Sequence, residues 1–240
     1  MDPEIYRLFS NAALNKSTLR INNVYRGVPI NANGSVLEMH ANEIVVGTNS
    51  MQIMCARAQR FSFITLDDVS YLAVLNFGEI KSETVIYKDL VPLRRPYKIR
   101  KYVRVAPETP IPLQFSSIKI KSDNDEKPMW VKASMADISI HGIAIYENAV
   151  MYKLSPLVIY DPVIIKITIF DPITKSPFNL TIDGEIRNVL GISESKVRLG
   201  LETKPDRTSE NVLTHYVAQL QKDIIQELKD TLDKELATLV

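Results

Sequence analysis

Cysteine is almost missing from this chain of 240 residues. Cys55 stands alone, so no intramolecular disulfide can form and no cysteine-based zinc site can be assembled. That composition suits a reducing compartment. An excess of charge of either sign is missing as well. Twenty-nine basic and 28 acidic side chains leave a formal charge of +1, which argues against a polycation that coats nucleic acid or membrane. Any anion site must therefore come from local clustering. The opening residues lack a basic start followed by an apolar run, so no secretory signal is expected. The apolar stretch from Leu157 to Phe170 is broken by Asp161, Pro162 and Lys166, and it is too short to cross a bilayer. These absences predict a cytoplasmic protein with no membrane insertion. His40, His141 and His215 have no metal-ligand spacing, and no Gly-x-x-x-x-Gly-Lys, Gly-x-Gly-x-x-Gly or Gly-x-Ser-x-Gly motif occurs. The expectation is a non-enzyme with no metal and no resident cofactor.

What the chain does have is strand language. Hydrophobic residues make up 45%, ample for packed cores. Val36–Met39, Glu43–Val46, Gln52–Cys55, Arg60–Thr65 and Tyr71–Leu75 are short, rich in β-branched or aromatic residues, and set between polar breaks. Asn31–Gly34, Gly47–Ser50 and Asp67-Asp68 read as turns. Their regular spacing predicts a small antiparallel β-barrel, within an N-terminal domain over 1–93. Alternation resumes at Pro112–Phe115, Ile118–Lys121 and Met129–Ala133. It continues through Ile143–Tyr146, Val163–Phe170, Phe178–Ile182 and Val197–Leu201. A hairpin connection is expected between Asp171 and Pro177. A second barrel over 105–207 follows. From Thr208 the pattern turns helical: Leu213, Val217, Leu220, Ile224, Leu228 and Leu232 recur three to four residues apart. An amphipathic helix is predicted over 208–240, capped by Thr208 to Asn211. It either packs on its own barrel or pairs with a second copy of the chain. The fold class is thus mainly β, two small antiparallel barrels in tandem with a C-terminal helix.

Between the barrels, 94–104 reads as a linker in which six of eleven residues are basic: Arg94, Arg95, Lys98, Arg100, Lys101 and Arg104. Arginine's planar fork holds phosphate oxygens in pairs, stacks on purines and donates to the O6/N7 edge of guanine. Further on, Asp137-Ile138-Ser139-Ile140-His141-Gly142 alternates in an extended chain. Asp137, Ser139 and His141 then face one way while Ile138 and Ile140 enter the core. A carboxylate and a hydroxyl on one face suit a base that offers N–H donors. Gly142 permits a turn or a close ligand approach.

Together the two elements resemble the signature of the PilZ family, Arg-x-x-x-Arg followed by Asp/Asn-x-Ser-x-x-Gly. Arg100 and Arg104 match the first half, and Asp137, Ser139 and Gly142 match the second. The resemblance covers about residues 96 to 205. It implies a six-stranded barrel and a receptor for the bacterial second messenger cyclic di-GMP, which the family often binds as an intercalated dimer. By the same resemblance Arg100 and Arg104 hold phosphates and guanine edges, Asp137 and Ser139 contact a guanine, and Gly142 lets the chain pass close to the ligand. Arg95, Lys101, His141 and Arg198 are candidates for the ligand's periphery, and Arg94 is a further cation near it. The segment Val24–Pro29 and the barrel-linker-barrel layout are similar to the flagellar-brake type of PilZ protein. The implied mechanism is an interdomain rearrangement on nucleotide binding, read by a protein partner such as the flagellar motor in motility or biofilm control, with no role for nucleic acid. The alternative is a nucleotide-independent adaptor that assembles as a homo-oligomer through its C-terminal helix.

Overall fold

The computed structural model describes residues 1–95, 102–117, 121–122, 125–154, 156–171 and 174–238. It divides into two compact units. The first comprises Met1–Lys101 with Ile224–Val240, and the second comprises Tyr102–Asp223.

The first unit opens with helix α1 (Pro3–Leu14). Asp2 caps it, its carboxylate accepting from the Glu4 N–H at 2.8 Å, and Pro3 takes the first turn, where a missing N–H costs nothing. Its buried face, Ile5, Phe9 and Ala12, packs into the barrel core, with the Phe9 ring edge-on to Tyr71 at 5.2 Å. Six strands follow: β1 (Thr18–Tyr25), β2 (Val28–Met39), β3 (Glu43–Gly47), β4 (Phe61–Leu66), β5 (Val69–Glu79) and β6 (Thr84–Pro92). They close in the order β1-β2-β3-β6-β5-β4. Asp67 and Asp68, both at positive φ, make the tight β4–β5 turn that their sequence suggests.

Two sequence expectations fail here. Asn31–Gly34 is not a turn but the middle of β2, and Gly34 is needed for close approach: a Cβ there would stand 2.7 Å from the Gly47 carbonyl oxygen. Gln52–Cys55 is not a strand but the core of helix α2 (Ser50–Gln59), which crosses from β3 to β4, strands that are not neighbours in the barrel. Asn49 caps α2 through the Gln52 N–H at 2.8 Å, and Arg60 ends it in the left-handed conformation at φ 67°. A buried polar cluster anchors it. The fully buried Asn23 accepts from Gln52 Nε2 and from Ser62 Oγ, and donates to Gln59 Oε1. Inside α2, burial pushes the Cys55 thiol up to about 12, so it acts as a small core hydrophobe.

The second unit holds β7 (Ile111–Ser116), a short hairpin of β8 (Lys121–Ser122) and β9 (Asp125–Pro128), then β10 (Val131–Ser139) and β11 (Gly142–Asn148). Helix α3 (Ala149–Leu154) and strands β12 (Pro162–Phe170), β13 (Pro177–Ser193) and β14 (Lys196–Lys204) follow. The strand predicted from Ile118 lies mostly outside the described residues. The barrel closes as β10-β11-β14-β13-β12-β7, filled by Leu113, Phe115, Met135, Ile143, Ile145, Ile165, Ile167, Leu199 and Leu201. Helix α4 (Arg207–Ala237) is shared between the units; its cap is Asp206, which accepts from the Ser209 N–H at 2.7 Å, rather than Thr208. Among the described residues no helix is long and apolar enough to cross a membrane.

Helix α3, packed on β11 and β14, and the segment after it carry the chain from β11 to β12. Beneath them lies Glu147, 4% exposed, with one carboxylate oxygen that has no partner among the described residues. The Tyr152 phenol is near both Glu147 and the buried Asp161; burial, and then their charges, raise its pKa. Burial raises Glu147 from the usual 4.5 to about 7. Below pH 4.5 both folded and unfolded chains hold this proton. As pH rises towards 7 the unfolded chain ionises first, so stability falls, and the loss levels off above 7. Denaturant unfolding of the wild type should show a loss of about 1–3 kcal/mol from this group between pH 4.5 and 8. Glu147→Gln should lose correspondingly less over that range; parallel pH profiles would show the carboxyl to be solvated.

Candidate functional site

The signature residues of the second unit meet because of a mismatch in strand length. β7 begins at Ile111, opposite Met135, so the edge of β10 beyond Met135 has no β7 partner. Val105 fills it: its N–H donates to the Ile138 carbonyl at 2.8 Å and its carbonyl accepts from the Ile138 N–H at 2.9 Å. A bulge between Met135 and Asp137 shifts the alternation of β10 there. Met135 and Ile138 are therefore both buried, and Asp137 lies on the outer face. Ile140 and His141 form the two-residue turn to β11, which corrects the expectation that Ile140 enters the core; it is only half-buried.

Pairing at Val105 sets Arg104 over this face. Its Nη1 lies 3.6 Å from Asp137 Oδ1, while Arg198, from β14, bonds Asp137 Oδ2. Asp137 thus sits between two guanidinium groups, with side-chain exposures of 17% for the carboxylate, 27% for Arg104 and 21% for Arg198. The trio carries a net positive charge in a half-dry setting, and added phosphate oxygens would meet donors already in place. Ser139 Oγ donates to the Gly142 carbonyl at 3.1 Å. A Cβ on Gly142 would stand 3.2 Å from Arg104 Nη2, from Ser139 Oγ and from the Leu201 carbonyl. Glycine here leaves room for the arginine that crosses it.

Register extends the face across the barrel. Asp137 lies beside Ala144, Ala144 beside Gly200, and Gly200 beside Asn188, whose side chain covers it so closely that a Cβ would meet Asn188 Oδ1 at 2.3 Å. Ala144 and Gly200 form a floor of small residues edged by Asp137, Tyr146 and Arg198; Ala144 is fully buried and Asn188 lies over Gly200, so a flat ring would rest there only once these side chains move aside. Ala144, Asn188 and Tyr146 have no motif of their own, and only strand register reveals them.

The peripheral candidates divide. Arg198 is in the site. His141 is at its edge, its ring edge-on to Tyr102 at 4.7 Å and its Nε2 3.4 Å from Glu210 Oε1. Arg94 and Arg95 are exposed just past β6, in the first unit. Arg100 and Lys101 lie outside the described residues. A cavity of about 550 Å³, lined by Gln114, Lys132, Lys166 and Thr181 among others, reaches only the start of β10 and contains none of the signature residues. No group of three or more metal-ligating side chains occurs among the described residues.

Among known proteins, solved structures that the chain matches include the Bacillus subtilis inhibitor of motility MotI/DgrA, at 13% identity over 86% of this chain and 96% of that one, with a TM-score of 0.44. The Klebsiella MrkH–c-di-GMP complex matches at 15% identity over 95% of each chain, with a TM-score of 0.44. Escherichia coli YcgR in complex with c-di-GMP matches at 12% identity over 96% of this chain and 95% of that one, with a TM-score of 0.41. No curated protein matches the chain. The model of the PilZ domain matches residues 98–219, just over half of the sequence and nearly all of the second unit, and the chain belongs to the PilZ domain family.

Proposed function

We propose that this chain is a cyclic di-GMP receptor that works by binding rather than by catalysis. The observation that supports this reading most directly is the pinning of Asp137 between Arg104 and Arg198 on an outer barrel face floored by small residues. A cyclic dinucleotide brings two phosphates and two flat bases, one set of partners for the guanidinium groups and another for the floor and the carboxylate. Guanine N1–H and N2–H match the Asp137 carboxylate as donors, while O6 and N7 accept from arginine. On binding, Arg104 exchanges its carboxylate contact for the ligand, and Arg100 joins from the segment that precedes it. Arg104 forms charge-assisted bonds that each contribute about 1.5–3 kcal/mol. Arg104→Ala should therefore weaken binding roughly 10- to 100-fold in calorimetry with the dinucleotide. An affinity unchanged in both Arg104→Ala and Arg198→Ala would remove the basis of this reading.

The same proposal includes an output. The Arg100–Arg104 segment lies where the first unit gives way to the second, so a ligand that holds it favours some arrangements of the units over others, a population shift by differential contact. A protein partner reads that shift, in motility or biofilm control. Adaptor function through a free C-terminal helix has less support, because Leu213, Val217, Ile224 and Leu228 are buried within the chain itself. Small-angle scattering of the full chain should change when saturating dinucleotide is added, and should not change for Arg104→Ala. Superimposable curves for the wild type with and without bound ligand would separate binding from any rearrangement and leave only the first.

A further inference from the structure

One end of the second barrel is covered with apolar side chains that point away from the core. In α3 the only buried residue is Ala149, while Val150 is 64% exposed, Leu154 75%, and Met151 projects beside them. Val158, Ile159 and Tyr160 follow, all exposed, with Tyr160 at 68%. Leu190 and Ile192, near the β13–β14 turn, complete the set.

Backbone bonds tie these pieces to two points along the β13–β14 hairpin. The Ala149 N–H donates to the Ser195 carbonyl at 3.0 Å, tying the start of α3 to the β13–β14 turn. The Tyr160 N–H donates to the Ile186 carbonyl at 2.8 Å, and the Arg187 guanidinium stands 5.3 Å from the Tyr160 ring. The Tyr152 hydroxyl donates to the Leu157 carbonyl at 2.8 Å and closes the segment on itself. Exposed apolar residues elsewhere in this unit, such as Phe170 and Phe178, lie at the other end of the β12–β13 ladder.

The eight side chains are each between 37% and 75% exposed, and exposed apolar residues in such number, rather than scattered singly, mark an interaction face. Its charged neighbours have both signs. Lys153 and Lys196 flank it with Glu194, all three exposed and none in an ion pair among the described residues. A face with an apolar centre and both signs at its edge is complementary to itself. In a twofold pairing each patch meets its own copy, and a lysine of one chain can meet Glu194 of the other.

We propose that this α3 end of the second barrel is the face on which two copies of the chain pair. The occupant is a second copy because the edge charges match those of an identical surface, whereas a strongly acidic or basic partner would leave one sign unmatched. The C-terminal helix offers the poorer face, since Leu213, Val217, Ile224 and Leu228 are already buried.

Sedimentation equilibrium of the full chain over a wide concentration range should show a dimer that dissociates on dilution. Leu154→Glu with Tyr160→Glu should weaken pairing at least ~10-fold, because truncating or charging a central apolar anchor removes most of the binding energy. Its thermal melt should match the wild type, as both side chains are exposed. Lys153→Glu, a surface change that cannot disturb the core, should loosen the dimer several-fold, and addition of Glu194→Lys should restore it. A wild type that stays monomeric at every concentration overturns the proposal. So does a dimer that survives the Leu154/Tyr160 and Lys153 changes undiminished.

Discussion

The paired hydrogen bonds between Val105 and Ile138 are the constraint on which the site depends. They are ordinary backbone bonds, each worth about 1 kcal/mol net, and they join the start of the second unit to the open edge of a barrel strand. Without them Arg104 would be one cation among several on a basic segment. With them, its guanidinium is delivered to within reach of Asp137, over a glycine that leaves space for it. The strand edge is open because β7 starts late, and Asp137 faces outward because of the adjacent bulge. A difference in strand length and one extra residue in β10 therefore create the place where the signature residues meet.

Electrostatics then set the state of the site without ligand. One carboxylate facing two guanidinium groups is held, but it is outnumbered, so an incoming anion does not have to displace every contact at once. Preorganisation of this kind reduces the ordering cost of binding. The same arrangement explains why Asp137 is conspicuous in the structure: one of its oxygens is buried with only the longer Arg104 contact beside it.

Much of this was legible in the residues, for a physical reason. Two-residue alternation betrays a half-buried strand, so β3, β4, β11, β12 and β14 can be found from their Val, Ile and Phe spacing. The Arg and Asp-x-Ser-x-x-Gly elements stand out because their residue types and spacing match the family signature. Features that depend on tertiary context were not legible. Gln52–Cys55 looks like a strand because its residues are apolar and branched, but Asn49 caps it and the Asn23 cluster holds it as helix. α1 carries a plain start signal in Asp2 and Pro3, yet its short apolar stripe is diluted by polar residues. Asn31–Gly34 has turn composition and strand geometry, because a neighbouring backbone passes too close for a side chain. The bulge at Asp137 has no composition of its own. The Ala144–Gly200–Asn188 floor exists only once three strands are laid in register.

The first barrel shows how little of the site belongs to the fold. Its strands close in the same sequence as those of the second, and a helix crosses in both from the third strand to the fourth. Even the bulge recurs: Val36 and Glu38 bracket it in β2 as Met135 and Asp137 do in β10. In register, Glu38 stands where Asp137 does, His40 where Ser139 does, and Glu43 where Gly142 does. Those exchanges invert the chemistry. Glu43 puts a charged side chain where the second barrel needs bare backbone, and that side chain is already engaged by Asn76. Glu38 lies near His40, at 3.4 Å, rather than between two arginines. An anion approaching this face meets carboxylates instead of guanidinium groups. One architecture thus carries the arginine–aspartate cluster in one copy and lacks it in the other. The difference lies in a glycine, two arginines and the strand edge that Val105 occupies, not in the barrel.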